Sequence, residues 1–175
     1  MKSDKKALRS ELNARLQSLP AVRFEEAEEK IFLRLKERAD FFTKKRIAAY
    51  WSMPKELSLK LFIEDSNNDI VLPRIQGSNL TWHRFEGIDS LVPEGKFGIL
   101  EPVGEVIEES SIDICLCPGL GFTESGDRLG RGKGFYDRFL SKNSLHCIGV
   151  CLREQLLPSI PMEAHDRKMD EVYAV

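Results

Sequence analysis

The residues best suited to chemistry are three glycines that alternate with basic side chains. They lie in the segment Arg128-Leu129-Gly130-Arg131-Gly132-Lys133-Gly134. Glycines let a backbone come close to an anion and turn successive N–H groups toward it. Arginine can hold a phosphate through two parallel hydrogen bonds, and lysine adds a compact positive charge. The segment therefore predicts a binding site for a ligand that carries phosphate.

Two common nucleotide-binding patterns do not fit this segment. A Walker A loop needs a glycine where Asp127 stands and a Ser or Thr where Gly134 stands. The spacing G-x-G-x-G also differs from the dinucleotide fingerprint G-x-G-x-x-G. Two alternatives remain, a surface loop with solvated charges and an arginine–glycine segment that binds RNA. The position between a predicted strand and a predicted helix favours phosphate, because helix N-termini attract anions.

Three later carboxylates are candidate ligands for a metal that would accompany the phosphates. Asp137 follows the glycine segment by one short turn. It could simply compensate the helix dipole, or it could bind Mg²⁺, which is usually held by one or two carboxylates and phosphate oxygens. Asp166 and Asp170 are candidates for a second ligand. Their spacing alone does not choose between them.

Two amphipathic helices are expected at the start of the chain. The first runs from about Asp4 to Gln17, and its apolar face consists of Leu8, Leu12 and Leu16. Lys5 and Arg9 are four residues apart and share a face beside that stripe, where an ordinary solvated surface is the simplest interpretation. The second helix starts at Pro20, a residue well suited to a first helical position, and ends at about Ala39. Its inward face is expected to consist of Val22, Ala27, Ile31 and Leu35.

Short apolar runs farther along the chain predict strands. The predicted strands cover residues 46–51, 70–73, 80–85, 112–117 and 145–151, and the predicted helices cover residues 57–64 and 134–141. A loop rich in glycine and proline is expected over residues 92–102. This alternation indicates an α/β fold, a single domain over residues 1–175 with a mostly parallel twisted sheet flanked by helices, together with the N-terminal helical pair. Ligand sites in such folds lie at the carboxyl ends of the strands.

Composition limits the classes of protein that this chain can belong to. Its 26 basic and 28 acidic side chains give a formal charge of −2, without the basic excess of a dedicated nucleic-acid binder. The N-terminus has no signal-peptide pattern, and no apolar run approaches the ~18 residues of a membrane helix. The four cysteines lie in or beside apolar runs and are expected to be buried and reduced: Cys115, Cys117, Cys147 and Cys151. We therefore expect a cytoplasmic protein with neither a nucleic-acid nor a membrane partner.

The chain resembles the 5-formyltetrahydrofolate cyclo-ligase family, also called methenyltetrahydrofolate synthetases, almost from end to end. The most specific element is R-x-G-R-G-x-G-[FY]-Y-D, which runs here from Arg128 to Asp137. The pattern K-x-x-L-R of the family's first helix stands at Lys5–Arg9. Further matches follow in the family's order, at residues 50–56, 72–73, 98–102, 118–120, 122, 149, 154–155, 161 and 165–166.

This resemblance implies an enzyme, a ligase that forms a C–N bond in a small-molecule folate. The implied reaction closes a ring, converting 5-formyltetrahydrofolate to 5,10-methenyltetrahydrofolate with ATP as co-substrate and Mg²⁺ as cofactor. ADP and phosphate are released, and the implied intermediate is a phosphorylated formyl group, an iminium phosphate. We expect a monomer. A non-catalytic nucleotide sensor that keeps the loop remains an alternative.

The resemblance also assigns roles to residues. The implied ATP contacts are Lys5, Lys6, Ala7, Leu8, Arg9, Arg128, Leu129, Gly130, Arg131, Gly132, Lys133, Gly134, Phe135 and Tyr136. The implied folate contacts are Trp51, Glu56, Arg131, Gly132, Lys133, Gly134 and Phe135, with Glu56 accepting hydrogen bonds from the pterin. Arg131 and Tyr136 are the implied catalytic residues, and Asp137 and Asp166 the implied magnesium ligands. Trp51 could instead be an ordinary core residue, and His165 is assigned no chemistry.

Overall fold

A seven-stranded sheet forms the centre of the fold. The computed structural model describes residues 2–65, 67–94, 98–164 and 166–175, so His165 lies outside the described residues. In chain order the strands are β1 (Arg46–Ala48), β2 (Asp69–Gln76), β3 (Asn79–Arg84), β4 (Leu91–Glu94), β5 (Ile99–Pro102), β6 (Val106–Ile107), β7 (Ile114–Cys117), β8 (Gly121–Phe122), β9 (Arg128–Leu129), β10 (His146–Cys151) and β11 (Glu171–Ala174). The sheet has the order β11-β10-β7-β1-β2-β3-β6, and β4–β5 and β8–β9 form separate antiparallel pairs.

Five neighbouring strands of the sheet run parallel. Strand β1 pairs in parallel with β2 and with β7, which place Ile70 and Ile114 on either side of Ile47. Strand β10 pairs in parallel with β7 and with β11, whereas β3 and β6 add an antiparallel edge. Every residue of β7 is buried, because parallel sheets are covered on both faces. The predicted α/β fold with a mostly parallel sheet is confirmed.

In the described residues, five α-helices accompany the strands: α1 (Lys2–Ser18), α2 (Ala21–Lys36), α3 (Ala39–Phe42), α4 (Lys60–Asp65) and α5 (Phe135–Lys142). The N-terminal helical pair is confirmed, and the expected inward residues Leu12, Leu16, Ala27, Ile31 and Leu35 are buried. Val22 was expected on that face, but its side chain is 53% exposed. It is five positions before Ala27 in the chain, so it lies about 140° around the helix from that face. Pro20 is the N-cap residue of α2 rather than its first helical residue.

Several short elements were not predicted from the sequence, among them β4, β5 and β11. Most of the predicted loop over residues 92–102 is the β4–β5 pair, in which Val92 lies opposite Glu101. Pro93 and Pro102 suggested a loop, yet prolines are tolerated in a ladder of only two strands, where both strands are edges. Strand β11 was missed because it is a four-residue strand at the sheet edge.

Alternate residues of the central strands pack into two separate cores. Ile47, Leu72 and Ile114 pack with the inward residues of α1 and α2 on one face. Cys115 and Cys117 pack with Trp82 and Phe139, a residue of α5, on the other face. All four cysteines are buried and free, as expected. Within the described residues, no helix combines the length and the apolar character needed to cross a membrane.

Candidate active site

A cavity of about 310 Å³ opens at the carboxyl ends of the parallel strands. After β1 the chain supplies Tyr50, Trp51, Met53 and Glu56 to its wall, and after β7 it supplies Pro118 and Gly119. Residues of β2, β3 and β5 add a mostly apolar part of the wall: Pro73, Ile75, Leu80, Ile99, Leu100 and the carboxylate Glu101. The remaining side is the glycine segment, with Arg128 and residues 130–137. This position agrees with the rule that parallel sheets bind ligands beyond their carboxyl edge.

The loop of residues 130–134 owes its path to glycine. The φ angles of Gly132 and Gly134 are +97° and +70°, a region that residues with a Cβ rarely adopt. Gly134 is also the N-cap residue of α5, so the loop leads directly into the N-terminus of that helix. The amide groups of the first turn of α5 therefore lie beside the cavity. Such an arrangement suits an anion, because it combines unpaired backbone donors with the positive end of the helix dipole.

Arg128 joins the start of the loop to helix α5. Its buried guanidinium donates from Nη2 to Oδ1 of Asp137 at 2.8 Å and from Nη1 to the carbonyl oxygen of Pro118 at 3.0 Å. The same group lies 5.5 Å from the ring centroid of Tyr136. One side chain thus contacts residues on both sides of the loop. Its guanidinium also compensates the negative charge of Asp137.

Arg131 and Glu56 connect the loop with the segment after β1. Arg131 Nη2 lies 3.2 Å from Glu56 Oε1, and Glu56 Oε2 accepts the N–H of Met53 at 3.0 Å. The Arg131 side chain is 37% exposed, whereas that of Glu56 is only 9% exposed. A residue expected to bind phosphate and a residue expected to bind the pterin therefore contact each other directly.

Two aromatic side chains contribute to the cavity in different ways. Trp51 is half-buried and stacks on Phe85, with the ring centroids 6.0 Å apart. The ammonium group of Lys60 lies 5.1 Å from the centroid of the Trp51 ring. Trp51 is thus both part of the core and accessible to a ligand. The hydroxyl of Tyr136 is buried and has no hydrogen-bond partner within the described residues. Burial raises the pKa of Tyr136 well above its ordinary value, so the hydroxyl keeps its proton and can donate it in a hydrogen bond.

Helix α1 reaches the site from the other side of the loop. Arg9 Nε donates to the carbonyl oxygen of Gly130 at 2.9 Å. The ammonium of Lys5 binds Oδ2 of Asp166 at 2.5 Å and Oε2 of Glu163 at 3.0 Å. Burial alone would lower the pKa of Lys5, but these two carboxylates outweigh it and raise the pKa. The interpretation of Lys5 as a solvated residue is wrong, since it is only 7% exposed.

Several residues assigned by resemblance do not line the cavity in the described structure: Lys5, Lys6, Ala7, Leu8, Arg9, Leu129 and Asp166. Lys6 and Ala7 are exposed. Leu129 is 1% exposed and packs in the core, so only its backbone could meet a ligand without rearrangement. The proposed ATP contacts of α1 therefore stay predictions, although Arg9 contacts the loop itself.

The candidate metal ligands occupy different environments. Asp137 lines the cavity and is half-buried. Asp166 Oδ2 already accepts the Lys5 ammonium and the N–H of Glu163. Asp170 accepts the N–H of Cys147 at the amino end of β10, away from the cavity's edge of the sheet. No group of three or more His, Cys, Asp or Glu residues suited to a metal occurs in the described part of the chain. The position of Asp137 beside the cavity is compatible with a magnesium ligand, and the assignments of both Asp137 and Asp166 stay predictions.

The apolar wall of the cavity was missed by the sequence analysis. Ile99 and Leu100 belong to β5, a strand that was expected to be loop. The match of residues 98–102 to a family pattern was the available signal. Arg138 was also passed over, although it contacts the glycine loop directly.

Comparisons with known proteins agree on one family. Residues 1–175 match the 5-formyltetrahydrofolate cyclo-ligase family. The 5-formyltetrahydrofolate cyclo-ligase of Mus musculus is 33% identical over 190 residues, covering 97% of this chain and 93% of the mouse protein. That of Haemophilus influenzae is 28% identical over 170 residues, covering 91% of each chain.

Two solved structures resemble the fold over nearly its whole length. The NMR structure of Aquifex aeolicus 5,10-methenyltetrahydrofolate synthetase gives a TM-score of 0.84 at 30% identity, covering 97% of this chain and 89% of that one. A 5,10-methenyltetrahydrofolate synthetase from Mycoplasma pneumoniae gives a TM-score of 0.75 at 23% identity, covering 97% of both chains. At 23% identity, the Mycoplasma pneumoniae structure supports the fold alone.

Proposed function

The chain belongs to the 5-formyltetrahydrofolate cyclo-ligase family, and we propose that it converts 5-formyltetrahydrofolate to 5,10-methenyltetrahydrofolate in the cavity at the carboxyl edge of the sheet. The reaction consumes ATP and releases ADP and phosphate. The observation that carries this proposal is the contact between Arg131 and Glu56. It places a cationic loop suited to phosphate next to a buried carboxylate suited to the N–H groups of a pterin.

The walls of the cavity suit a flat, partly polar ring. Trp51 and the apolar side chains of β2, β3 and β5 provide the surfaces against which such a ring can pack. Glu56 provides the acceptor, and a carboxylate can accept two neighbouring N–H groups at once. Because Glu56 is 9% exposed, water competes little for those bonds. The proposed reaction requires in addition that the formyl group of the bound folate reach the loop.

The chemistry needs an activated formyl oxygen, because that oxygen is otherwise a poor leaving group. In the proposed first step it attacks the γ-phosphorus, the bond from that phosphorus to the bridging oxygen breaks, and ADP leaves. In the second step the lone pair of N10 attacks the formyl carbon, the C–O bond breaks to release phosphate, and the N10 proton passes to solvent. The second step is intramolecular, so fixing the folate in a reactive geometry removes much of its entropic barrier.

The residues of the loop stabilise the charge that moves during the first step. The Arg131 guanidinium and the backbone N–H groups near Gly134 would contact the oxygens of the transferred phosphoryl group, where preorganised donors are most effective. The protonated hydroxyl of Tyr136 would donate a hydrogen bond to an oxygen at the reacting centre. Asp137 would hold a magnesium ion together with oxygens of the triphosphate. Magnesium supplies positive charge that neutralises the phosphates.

The cysteines support a reducing compartment. Cys115 and Cys117 have their sulfur atoms 3.3 Å apart in the core and remain unlinked thiols. Disulfides are rare in cytosolic proteins, and free, buried cysteines accord with that compartment, so we propose a cytoplasmic location for the chain. Monomeric state and lack of a nucleic-acid partner stay predictions.

The test is an assay of the purified protein with 5-formyltetrahydrofolate, with and without MgATP. We expect the near-ultraviolet absorbance of the methenyl product to grow only with ATP, and ADP to appear in equal amount. Arg131→Ala should lower turnover by about two orders of magnitude, because a donor to the transition state is lost. Arg153→Ala removes an exposed arginine outside the cavity and serves as the matched control.

Each outcome of this assay decides between defined alternatives. A folded protein that binds ATP but forms neither ADP nor methenyl product would be a nucleotide sensor rather than a ligase. A protein that forms product equally well without ATP would contradict the phosphorylated intermediate. An Arg131→Ala variant as active as Arg153→Ala would remove Arg131 from the mechanism.

A further inference from the structure

Arg138 lies in the first turn of α5 and has no role in the reaction described so far. In the described structure it is not among the residues that line the cavity. Its Nη2 nevertheless donates to the carbonyl oxygen of Lys133 at 3.0 Å and also to that of Ser78, in the turn between β2 and β3. The guanidinium carbon lies 5.4 Å from the ring centroid of Phe135. One side chain therefore ties the glycine loop to a rigid hairpin of the main sheet.

The bond to Lys133 has a consequence for the neighbouring amide. The C=O and N–H groups of a trans peptide lie in one plane and point in opposite directions, and no cis peptide occurs in the described residues. Holding the Lys133 carbonyl on the side of Arg138 therefore turns the N–H of Gly134 the other way. Gly134 lines the cavity, whereas Arg138 does not. The carbonyl bond thus helps to aim a backbone donor at the site.

The same relation occurs a second time in the loop. The carbonyl oxygen of Gly130 accepts Nε of Arg9, so the N–H of Arg131 is turned away from Arg9 in the same manner. Two arginines on two different helices, α1 and α5, hold two carbonyls of one short loop. Without such a bond, a glycine-flanked peptide can rotate and bring its carbonyl oxygen toward the cavity. A carbonyl oxygen there would repel phosphate instead of binding it.

We propose that Arg138 is a positioning residue for the nucleotide, which holds the Lys133 carbonyl so that the Gly134 amide faces the phosphates. It acts through the backbone and does not itself contact the phosphates. This inference rests on the proposed function, because it assumes that the loop binds MgATP. It predicts that loss of Arg138 weakens the binding of MgATP more than the binding of folate, because the folate site also includes Glu56 and Trp51, which lie outside the loop.

Three variants separate positioning from simple loss of charge. Arg138→Met removes the donor, Arg138→Lys keeps a charged donor, and Lys142→Met removes an exposed charge from the same helix. We expect Arg138→Met to raise the KM for MgATP about tenfold, the effect of one well-placed hydrogen bond, with a smaller rise in the KM for folate. Arg138→Lys should recover most of that loss, and Lys142→Met should behave as the parent protein does.

NMR of protein labelled with ¹⁵N-glycine gives a direct readout. The chain contains 12 glycines, so few amide signals have to be resolved. Addition of MgATP without folate should shift the Gly134 amide signal in the parent protein and in Lys142→Met, but not in Arg138→Met. Should Arg138→Met fail to fold, Arg138→Lys supplies the comparison, with a smaller rise in KM and a smaller Gly134 shift.

Two results would overturn the inference in distinguishable ways. If Arg138→Met and Lys142→Met give the same KM for MgATP and the same Gly134 shift, Arg138 positions nothing, while the proposed function stands. If the parent protein itself shows no amide shift and no turnover with MgATP, the proposed function fails and the role of Arg138 fails with it.

Discussion

At the scale of single residues, the charges of the candidate site are paired with one another. Arg131 contacts Glu56, Arg128 contacts Asp137, and Lys5 contacts Asp166. Each pair keeps a partly buried charge compensated before any ligand arrives, which lowers the free-energy cost of holding it there. A ligand with phosphates and a metal would then exchange one set of partners for another. The site is therefore preorganised by its own ion pairs.

The sequence identified these charged residues but not their partners. Arg128 and Asp137 are 9 residues apart, whereas Arg131 and Glu56 are 75 apart and Lys5 and Asp166 are 161 apart. Spacing along the chain predicts contacts within a helix turn, but pairs this distant exist only once the sheet has formed. The residue types were thus predictable from the motif, and the pairing was not.

A different ion pair makes stability depend on pH. Glu171 accepts Arg38 Nη1 at 2.6 Å and shares a hydrogen bond with Nε2 of His146 at 2.8 Å. The hydrogen bond from Arg38 is the main reason that the pKa of Glu171 falls from 4.5 to about 2. A carboxylate whose pKa is lowered by folding stabilises the fold at pH values above its pKa in the unfolded chain. This contribution is lost as the pH falls through its pKa in the folded protein. The relevant window is therefore pH 4.5 to about 2.

Glu171→Gln tests this dependence. Near neutral pH we expect the free energy of unfolding of the variant to be about 1 kcal/mol lower than that of the parent protein. The effect is modest because the Glu171 side chain is 32% exposed and water screens the ion pair. The difference should shrink as pH falls from 4.5 toward 2, when the parent carboxylate also becomes neutral. Denaturant unfolding of both proteins at several pH values measures it. A difference that stays constant across this window would contradict the account.

At the scale of elements, the junction between the glycine loop and α5 is the most demanding piece of backbone. Gly134 has φ of +70°, and a Cβ placed there would come within 2.7 Å of Arg138 Nη1. Gly134→Ala should therefore cost about 1–2 kcal/mol of folding free energy for the left-handed conformation and should also displace Arg138. We expect lower stability in thermal unfolding and a raised KM for MgATP.

Gly77→Ala is the matched control for this substitution. Gly77 has φ of +60° in the turn between β2 and β3, and a Cβ there would meet nothing within 4 Å. It should show a similar loss of stability, because the backbone strain is the same, with MgATP kinetics unchanged. Equal KM values for the two variants would show that the loop tolerates a Cβ at Gly134.

Elements with strong apolar character were predicted well, and short or unusual ones were not. The leucine stripe of α1 and the apolar run of β7 fixed both elements, because each buries a continuous surface. Strands β4 and β5 contain proline and glycine neighbours, whose local preference for a loop is overridden by pairing between the two strands. Strand β11 depends on its parallel pairing with β10, which no local pattern reveals.

At the scale of the whole molecule, the site is assembled from segments far apart in the chain. The segments after β1 and β7, residues of β2, β3 and β5, and the loop before α5 all line its cavity. Helix α1 contacts the loop through Arg9 and the segment before β11 through Lys5. Sequence patterns predicted that a phosphate site would lie at the carboxyl edge of a parallel sheet. Spacing alone could not predict that the first helix contacts the loop, because that contact depends on how α1 packs on the finished sheet; only the resemblance assigned both to the same ATP.

The central claim is that the loop of residues 130–134 binds the triphosphate beside the folate cavity. A crystal structure with magnesium and a non-hydrolysable ATP analogue tests this claim most directly. We expect phosphate oxygens within hydrogen-bonding distance of the backbone N–H groups of Arg131 and Gly134, with the Arg131 guanidinium turned from Glu56 toward them. A structure in which the analogue is bound elsewhere, with the loop turned to solvent, would contradict the account.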